Sequence, residues 1–281
     1  MRVAFQGEVG AYSHEAILRH YGPAAQPLPC RSFAAVFEQI SAGQADRGLV
    51  PIENSLTGSI YPVYDLLAQQ PLAIVGEVTL PIEHALLGLP GSTLAQIRRV
   101  YSHPQALGQC QRFLRELPLE ALAHYDTAGA ARWVAQVGDP ANAAIAGRLA
   151  AERYGLEILA SGIATSPRNT TRFFLLASRP EQRSGGPGPF KTSLLIETAD
   201  RPGALYHALG CFVRQGVNLT KLESRPLGTQ NWRYRFYLDL EGHADDPPVA
   251  QALEELRAEV LSLRLLGSYP RAADSGSGHQ C

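Results

Sequence analysis

The stretch Asn169-Thr170-Thr171-Arg172-Phe173-Phe174-Leu175-Leu176 decides the fold, because it places an amide, two hydroxyls and a guanidinium directly ahead of an apolar run. Short apolar runs flanked by turn residues are typical of strands that are covered on both faces. Pro167 favours an extended backbone at Ser166, which makes the preceding segment a loop. The stretch therefore predicts polar groups where a loop enters a buried strand. The alternative, from these residues alone, is an ordinary strand end with solvated Thr and Arg side chains.

The composition describes a globular protein of two domains: 281 residues, of which 45% are hydrophobic and 18% charged. The net charge of -1 does not favour nucleic acid or an anionic membrane surface as a partner. We expect Met1 to Phe5 to be a strand rather than a signal peptide, and no window reaches the ~18 apolar residues of a membrane span. The cysteines lack the spacing of a metal site or a disulfide framework, which predicts free thiols in a reducing cytoplasm. They are Cys30, Cys110, Cys211 and Cys281.

Strands alternate with helices over residues 1–180, which predicts parallel pairing with right-handed crossovers. We expect the chain to cross between two lobes near residues 77–84 and 161–170, with a cleft between the lobes. The predicted class is a two-lobed α/β domain like that of periplasmic binding proteins. The lobes would comprise approximately residues 1–77 with 168–180, and 80–165.

Polar loops and helix N-termini surround the predicted cleft. Glu53 to Ser59 follows a strand and supplies a carboxylate, an amide and three hydroxyls, at the place where ligands lie in open α/β sheets. Ser13, Ser59 and Ser102 are each placed to cap a helix, and Ser102 with Gln105 predicts a capping box. Free N–H groups at such N-termini favour an anionic ligand. The alternative for the Glu53 loop is a solvated turn.

Residues 181–189 form the predicted linker between domains, because their density of Gly, Pro and Ser does not suit the interior of an element. After it, residues 190–270 follow the order β-α-β-β-α-β, which is the α+β ferredoxin-like order. The edges of such a sheet are free to pair with another copy of the chain. Residues 271–281 are expected to form a flexible tail.

Four segments of residues 1–180 together resemble the prephenate dehydratase family. They are Gly10-Ala11-Tyr12-Ser13-His14, Pro51-Ile52-Glu53-Asn54-Ser55 with Gly58-Ser59, Ser102-His103-Pro104-Gln105-Ala106 with Gln109-Cys110, and Thr171-Arg172-Phe173. Each segment alone is weak, but four in this order make a specific signal. Residues 190–270 look like the ACT regulatory module attached to that enzyme, and we expect the monofunctional form because no helical mutase module precedes the start. Tyr206, where the family often has an aliphatic residue, departs from the pattern and bears on effector affinity.

The resemblance implies a lyase that removes water and carbon dioxide from prephenate, giving phenylpyruvate in phenylalanine biosynthesis without a metal or organic cofactor. By the same resemblance, Thr171 is the catalytic hydroxyl beside the departing oxygen, acting by donation, relay or orientation. Arg172 would hold a substrate carboxylate, or else form a purely structural ion pair. Glu53 would be an acid if burial raised its pKa, or else orient Asn54 and its loop. The proposed substrate donors and the residue of the cleft wall are Asn54, Ser55, Ser102, Gln109 and Phe173.

In the family, the ACT module binds phenylalanine between subunits, which implies regulation by L-phenylalanine and a homodimer or homotetramer. The residues implied at this effector site are Gly203, Ala204, Leu205, Glu223, Ser224, Arg225 and Pro226. One alternative is arogenate dehydratase, whose substrate carries an amine in place of the side-chain ketone. Another is a non-catalytic sensor, which would bind an anion but need no group to activate a leaving hydroxyl. The context of Thr171 with Glu53 and Asn54 favours the enzyme.

Overall fold

The computed structural model describes residues 1–183, 189–227 and 234–272. The described chain divides into two compact units, one of residues 1–66 with 78–173 and one of residues 67–77 with 174–272. The centre of the predicted linker, the start of the strand expected from Asn231, and most of the predicted tail with Cys281 lie outside the described residues. The domain limits drawn from the sequence remain predictions, since the compact units have different bounds.

The elements before the linker alternate between strands and helices. In chain order they are β1 (Arg2–Gln6), α1 (Tyr12–Tyr21), β2 (Gln26–Cys30), α2 (Phe33–Ser41), β3 (Arg47–Asn54), β4 (Gly58–Ser59), α3 (Tyr61–Gln69), β5 (Ala73–Pro81), β6 (Ala85–Gly88), a 3-10 turn (Leu94–Gln96), β7 (Arg99–Ser102), α4 (Pro104–Gln109), α5 (Gln111–Arg115), β8 (Glu120–Ala123), α6 (Thr127–Val137), β9 (Asn142–Ala146), α7 (Arg148–Tyr154), β10 (Glu157–Ser161) and β11 (Thr170–Ala177).

These strands form two sheets with the same plan. The first has the order β2-β1-β3-β11-β5, and the second β10-β6-β9-β7-β8. Counted from β2 in the first sheet and from β8 in the second, the fourth strand directly follows a crossing between the lobes. This strand is β11, after the return crossing, in the first sheet and β6, after the outward crossing, in the second. The predicted two-lobed, periplasmic-binding-protein-like class is therefore confirmed by the topology.

The predicted parallel pairing is confirmed for most of the strands whose direction is recorded. In the second sheet, β7 pairs in parallel with β8 and β9, as helical crossovers require. Besides the two-residue β4, which pairs antiparallel with β3, the exception is β6, which pairs antiparallel with both β9 and β10. Its direction is set by the crossing that it follows rather than by a helical crossover within the lobe, so the rule for parallel strands does not apply to it.

Two of the predicted helix caps are wrong. α1 begins after Ala11, whose extended backbone precedes the first helical turn, and Ser13 lies inside the helix without a capping bond. Ser59 belongs to β4, where it pairs with Glu53, and α3 begins only at Tyr61. In both places, the chain enters the helix at a point that the hydroxyl side chain does not mark.

The predicted capping box at α4 is also wrong, because the cap is one residue later. Ser102 still belongs to β7, and its buried hydroxyl donates to the carbonyl of Ile145 on β9 at 2.6 Å. His103 is the N-cap, and its Nδ1 accepts from the backbone N–H of Gln105 at 3.2 Å. The Ser102 side chain therefore bonds the neighbouring strand, and the next residue caps the helix.

The elements after the linker confirm the ferredoxin-like order. They are β12 (Phe190–Glu197), α8 (Ala204–Arg214), β13 (Leu219–Pro226), β14 (Tyr234–Glu241), α9 (Pro247–Glu259) and β15 (Ser262–Pro270). All recorded pairs are antiparallel in the order β13-β14-β12-β15, and both helices pack on one core that includes Phe212 and Leu253. Residues 67–77 belong to the same compact unit, where Lys191 and Glu77 form an ion pair at 3.1 Å with side chains 12% and 2% exposed. Among the described residues, no helix is long and apolar enough to cross a membrane.

Candidate active site

A cavity of about 240 Å³ lies within the first unit, between residues of both lobes. Of the predicted catalytic and substrate residues, Asn54, Gln109, Thr171 and Phe173 line it. Glu53, Ser55, Ser102 and Arg172 are not among its lining residues. The lining also includes groups that the sequence analysis did not single out, namely Tyr12, His84, Tyr125 and Asp126.

The alternation of β11 separates Thr171 from Arg172. Successive side chains on a strand point to opposite faces, so Thr171 and Phe173 share the face that lines the cavity. Thr171 is 8% exposed, and its Oγ1 accepts from Nδ2 of Asn54 at 3.0 Å. The hydroxyl proton of Thr171 has no recorded acceptor in the part of the chain that the structure describes. The proton is therefore available to a ligand in the cavity.

Asn54 is the last residue of β3, and its side chain bonds both β11 and the end of the return crossing that precedes it. Its Nδ2 donates to Oδ1 of Asn169 at 2.7 Å as well as to Thr171, while its Oδ1 accepts from the backbone N–H of Leu56 at 3.0 Å. Buried amides that meet all their partners are held in one rotamer. Asn54 therefore fixes where the Thr171 hydroxyl sits.

A second part of this network crosses to the other lobe through Gln109, the last residue of α4. Oε1 of Gln109 is 3.0 Å from Nδ2 of Asn169 and 2.7 Å from Nε2 of His84, and Nδ1 of His84 is 2.7 Å from the hydroxyl of Tyr12. Burial lowers the pKa of His84 and raises the pKa of Tyr12, so both groups are neutral at pH 7. The network therefore places polar groups around the cavity without adding charge.

Glu53 and Arg172 form an ion pair at 3.0 Å, with side chains 31% and 10% exposed. Glu53 precedes Asn54 on β3, and Arg172 follows Thr171 on β11. Because Asn54 and Thr171 line the cavity, Glu53 and Arg172 point to the opposite faces of their strands. Of the alternatives stated for these two residues, this placement favours the structural pair and the orientation of Asn54 and its loop over direct contact with substrate.

Replacing Glu53 by glutamine should therefore affect stability more than catalysis. Arg172 would lose a charged partner in a poorly exposed position, and we expect the free energy of unfolding to fall by about 1–3 kcal/mol. The value of kcat should stay within about fivefold of wild type if Glu53 is not the general acid, because loss of a general acid would lower it by about 10²–10⁴-fold. Chemical denaturation and steady-state kinetics measure the two quantities, with Glu38→Gln on the exposed face of α2 as control. A loss of kcat beyond a hundredfold in a stably folded Glu53→Gln protein would restore Glu53 as an acid.

The two predicted serine donors bond the protein rather than the cavity. The hydroxyl of Ser55 accepts from the backbone N–H of Thr170 at 2.9 Å, and the backbone N–H of Ser55 donates to the carbonyl of Thr170 at 2.9 Å. Ser102 is fully buried against β9. Both serines therefore hold strand ends in place beside the cavity.

The second lobe adds an acidic and aromatic wall at the start of α6. Asp126 caps this helix through Gly129, and desolvation by burial raises the pKa of its carboxyl group. Tyr125 donates to Oε1 of Glu8 at 2.7 Å, and Arg132 contacts Oε2 of the same carboxylate at 2.9 Å. This group joins the loop after β1 to the second lobe. An Asp–Thr pair ahead of an alanine-rich helix is a capping signal in the sequence, but capping alone does not indicate a cavity.

The predicted effector segments are placed at the same end of the second unit's sheet. Arg225 on β13 lies opposite Arg235, which lies opposite Glu197 at the end of β12. Gly203, with φ of 80°, is the N-cap of α8 and follows soon after that end of β12. Both segments are thus placed at the same end of the sheet, and β13 is an edge strand.

The topology and the cavity define a class: a two-lobed α/β domain with a donor-lined pocket, followed by a small regulatory-type α+β module. Comparison with known proteins narrows this. The family model for prephenate dehydratase matches residues 3–181, and that for the ACT domain matches residues 192–258. The chain therefore belongs to the prephenate dehydratase family, carbon–oxygen lyases of phenylalanine biosynthesis, and carries an ACT domain.

Individual relatives agree with this family. A bifunctional N-acyl-homoserine lactone acylase/prephenate dehydratase of Komagataeibacter europaeus is 43% identical, over 95% of each chain. Arogenate dehydratase 2 of Petunia hybrida is also 43% identical, over 98% of this chain and 73% of the relative. The crystal structure of prephenate dehydratase from Arthrobacter aurescens in complex with L-Phe is 34% identical, with a TM-score of 0.88 over 96% of this chain and 90% of that one.

Proposed function

We propose that the cavity catalyses the decarboxylating dehydration of prephenate to phenylpyruvate, with the Thr171 hydroxyl donating to the departing oxygen. The observation that carries this is the position of Thr171 in the cavity, where Asn54 occupies its acceptor and leaves its proton for a ligand. A preorganised donor aimed at developing charge acts in the transition state more than in the ground state.

The reaction requires donors and little negative charge. Prephenate carries two carboxylates; the ring hydroxyl leaves with the electrons of its C–O bond, and the ring carboxylate leaves as carbon dioxide while its bonding electrons complete the aromatic ring. One proton converts the departing hydroxide to water. Gln109 and Asn54 belong to a neutral network beside the cavity, which suits a dianionic ligand. Neutral donors also avoid the like-charge repulsion that carboxylates would bring.

Prephenate turnover by the purified chain, measured beside arogenate turnover, tests this function. The family match supports prephenate, while relatives described as arogenate dehydratases are as similar in sequence as those described as prephenate dehydratases. We expect phenylpyruvate from prephenate with the larger kcat/KM. No product from either substrate would refute the enzyme, and a larger kcat/KM for arogenate would replace the substrate.

L-Phenylalanine is expected to lower turnover through the ACT domain. Support comes from the relative solved with L-Phe and from the placement of both effector segments at one end of the sheet. Coupling between such sites is typically 1–3 kcal/mol, so saturating L-phenylalanine should change kcat/KM by about 5- to 150-fold. Initial rates over a range of L-phenylalanine, with D-phenylalanine as control, measure the effect. Equal rates with and without L-phenylalanine would contradict it.

We further propose a homodimer or homotetramer that forms through the second unit. β13 lies at one edge of the sheet, and α8 exposes two large apolar side chains, Tyr206 at 76% and Val213 at 77%. Light scattering of the purified chain would show a monomer if this is wrong.

A cytoplasmic location is proposed from the free, buried thiols of Cys30, Cys110 and Cys211. Recovery of the native protein with disulfides would contradict that location.

A further inference from the structure

The orientation of the Gln109 amide decides what the second lobe offers to a ligand. An amide has an oxygen and a nitrogen of nearly equal shape, so the groups that bond one end decide which atom is left for the cavity. Gln109 lines the cavity, and its Nε2 is shielded from water without a partner among the described residues. The contacts that Oε1 of the same amide makes hold the nitrogen in this position.

The direction of the hydrogen bonds is fixed first by the backbone at Asn54. Its Oδ1 lies 3.0 Å from the N–H of Leu56, and its Nδ2 lies 3.4 Å from the carbonyl of Thr170. Backbone groups cannot exchange donor and acceptor roles, so Nδ2 of Asn54 must donate. Oδ1 of Asn169 therefore accepts from it, which turns Nδ2 of Asn169 towards Gln109 as a donor. Oε1 of Gln109 is the acceptor of that bond.

The same reasoning then fixes the tautomer of His84. Its Nε2 is 2.7 Å from Oε1 of Gln109, an atom that can only accept, so Nε2 carries the hydrogen. Desolvation lowers the pKa of His84, and the neutral ring has a lone pair on Nδ1. The hydroxyl of Tyr12 lies 2.7 Å from this Nδ1 and 3.1 Å from the carbonyl oxygen of Glu83, and the shorter contact lets it donate to the Nδ1 lone pair. The direction of the chain of bonds therefore follows from the backbone contacts at Asn54, and the Tyr12 contact is compatible with it.

We propose that His84, as the Nε2–H tautomer, is a positioning residue that holds the Gln109 amide with its unpartnered Nε2 at the cavity wall. The proposal deepens the proposed function and rests on it. Without the His84 donor, only Asn169 holds Oε1 of Gln109, and the amide can rotate out of this position. Small misplacements of a binding group reduce rates steeply, by up to about 10²-fold for 1 Å.

Two substitutions of His84 separate this role from simple packing. His84→Leu removes the donor and puts an apolar side chain of similar size in its place, and we expect kcat/KM for prephenate to fall by about 10- to 100-fold. His84→Gln offers an amide N–H where the imidazole offered Nε2–H, and it should recover most of that loss. In a Gln109→Ala background, His84→Leu should add less than about threefold, because residues that act through one group are non-additive.

Several outcomes would overturn the proposal. A wild-type kcat/KM in His84→Leu, equal losses in the Leu and Gln variants, or the full loss repeated in the Gln109→Ala background would each do so. Phenylpyruvate binding, measured by calorimetry on the same proteins, gives a readout that does not need turnover. Failure of the wild type to turn over prephenate would refute the proposed function, whereas unchanged phenylpyruvate affinity in His84→Leu would refute the positioning role.

Discussion

Thr171→Val is expected to lower kcat for prephenate by about 10²–10³-fold, the effect of losing one preorganised donor. Valine is β-branched like threonine and has nearly its shape, so the poorly exposed site should stay filled and the KM should change little. Asn54 keeps Asn169 as an acceptor for its Nδ2, so the network loses one bond rather than its anchor. Steady-state kinetics with prephenate and the thermal unfolding midpoint are the measurements.

The neighbouring residue provides the control for Thr171. Thr170→Val makes the same chemical change one position earlier, on the side of β11 that does not line the cavity. Its kcat should stay within about threefold of wild type, as expected of a group away from the reacting atoms. Equal losses in the two variants, or a Thr171→Val enzyme that keeps a third of its kcat, would show that the hydroxyl is not the donor.

Asn54→Asp is expected to have a comparable or larger effect, about 10³-fold in kcat/KM, because it removes a donor and adds a charge. An aspartate keeps an acceptor for the N–H groups of Leu56 and Thr57. Its second oxygen, however, faces Oδ1 of Asn169, which repels it, and the hydroxyl of Thr171, which would donate its proton to the carboxylate rather than to a ligand. Repulsion there, and repulsion of a dianionic substrate, should raise KM as well as lower kcat. The loss should lessen at acidic pH, where the new carboxyl group is protonated.

A second buried asparagine serves as the control that separates a loss of catalysis at the cavity from the loss of stability that any buried carboxylate causes. Asn142 on β9 is 2% exposed and does not line the cavity. Asn142→Asp should lower the thermal midpoint while leaving kcat/KM per folded enzyme near wild type. If Asn54→Asp lost no more activity per folded molecule than Asn142→Asp, the role given to the Asn54 amide would be wrong.

The fold was predictable where chemistry and periodicity agree. The β11 stretch forms a strand from Thr170, and the alternation after residue 190 gives the ferredoxin-like order. The sequence did not indicate β2, Gln26–Cys30, because it contains two prolines. This strand pairs with β1 at the edge of its sheet, where a missing N–H is tolerated. Local composition cannot show which strand will lie at an edge.

The site was predictable in part. Thr171 and Asn54 were expected to lie close together, and their side chains are 3.0 Å apart. The period of two along β11 already places Thr171 and Arg172 on opposite faces of the strand, which favours the alternative of a structural ion pair for Arg172. Tyr12 was named only within the segment Gly10-Ala11-Tyr12-Ser13-His14, without a role, and His84 was missed because its segment reads as ordinary extended chain. Only the folded chain brings them to Gln109, from positions far apart in sequence.

The ion pair between Glu77 and Lys191 bears on how this protein can be dissected. Glu77 is almost completely buried, and it receives both the Lys191 ammonium and the backbone N–H of Ala272. Truncation within residues 181–189 would remove both of these groups together with most of the compact unit to which residues 67–77 belong, and would expose a segment that is buried in the intact chain. A shortened chain made to test the proposed response to L-phenylalanine would therefore also report the loss of packing around β5.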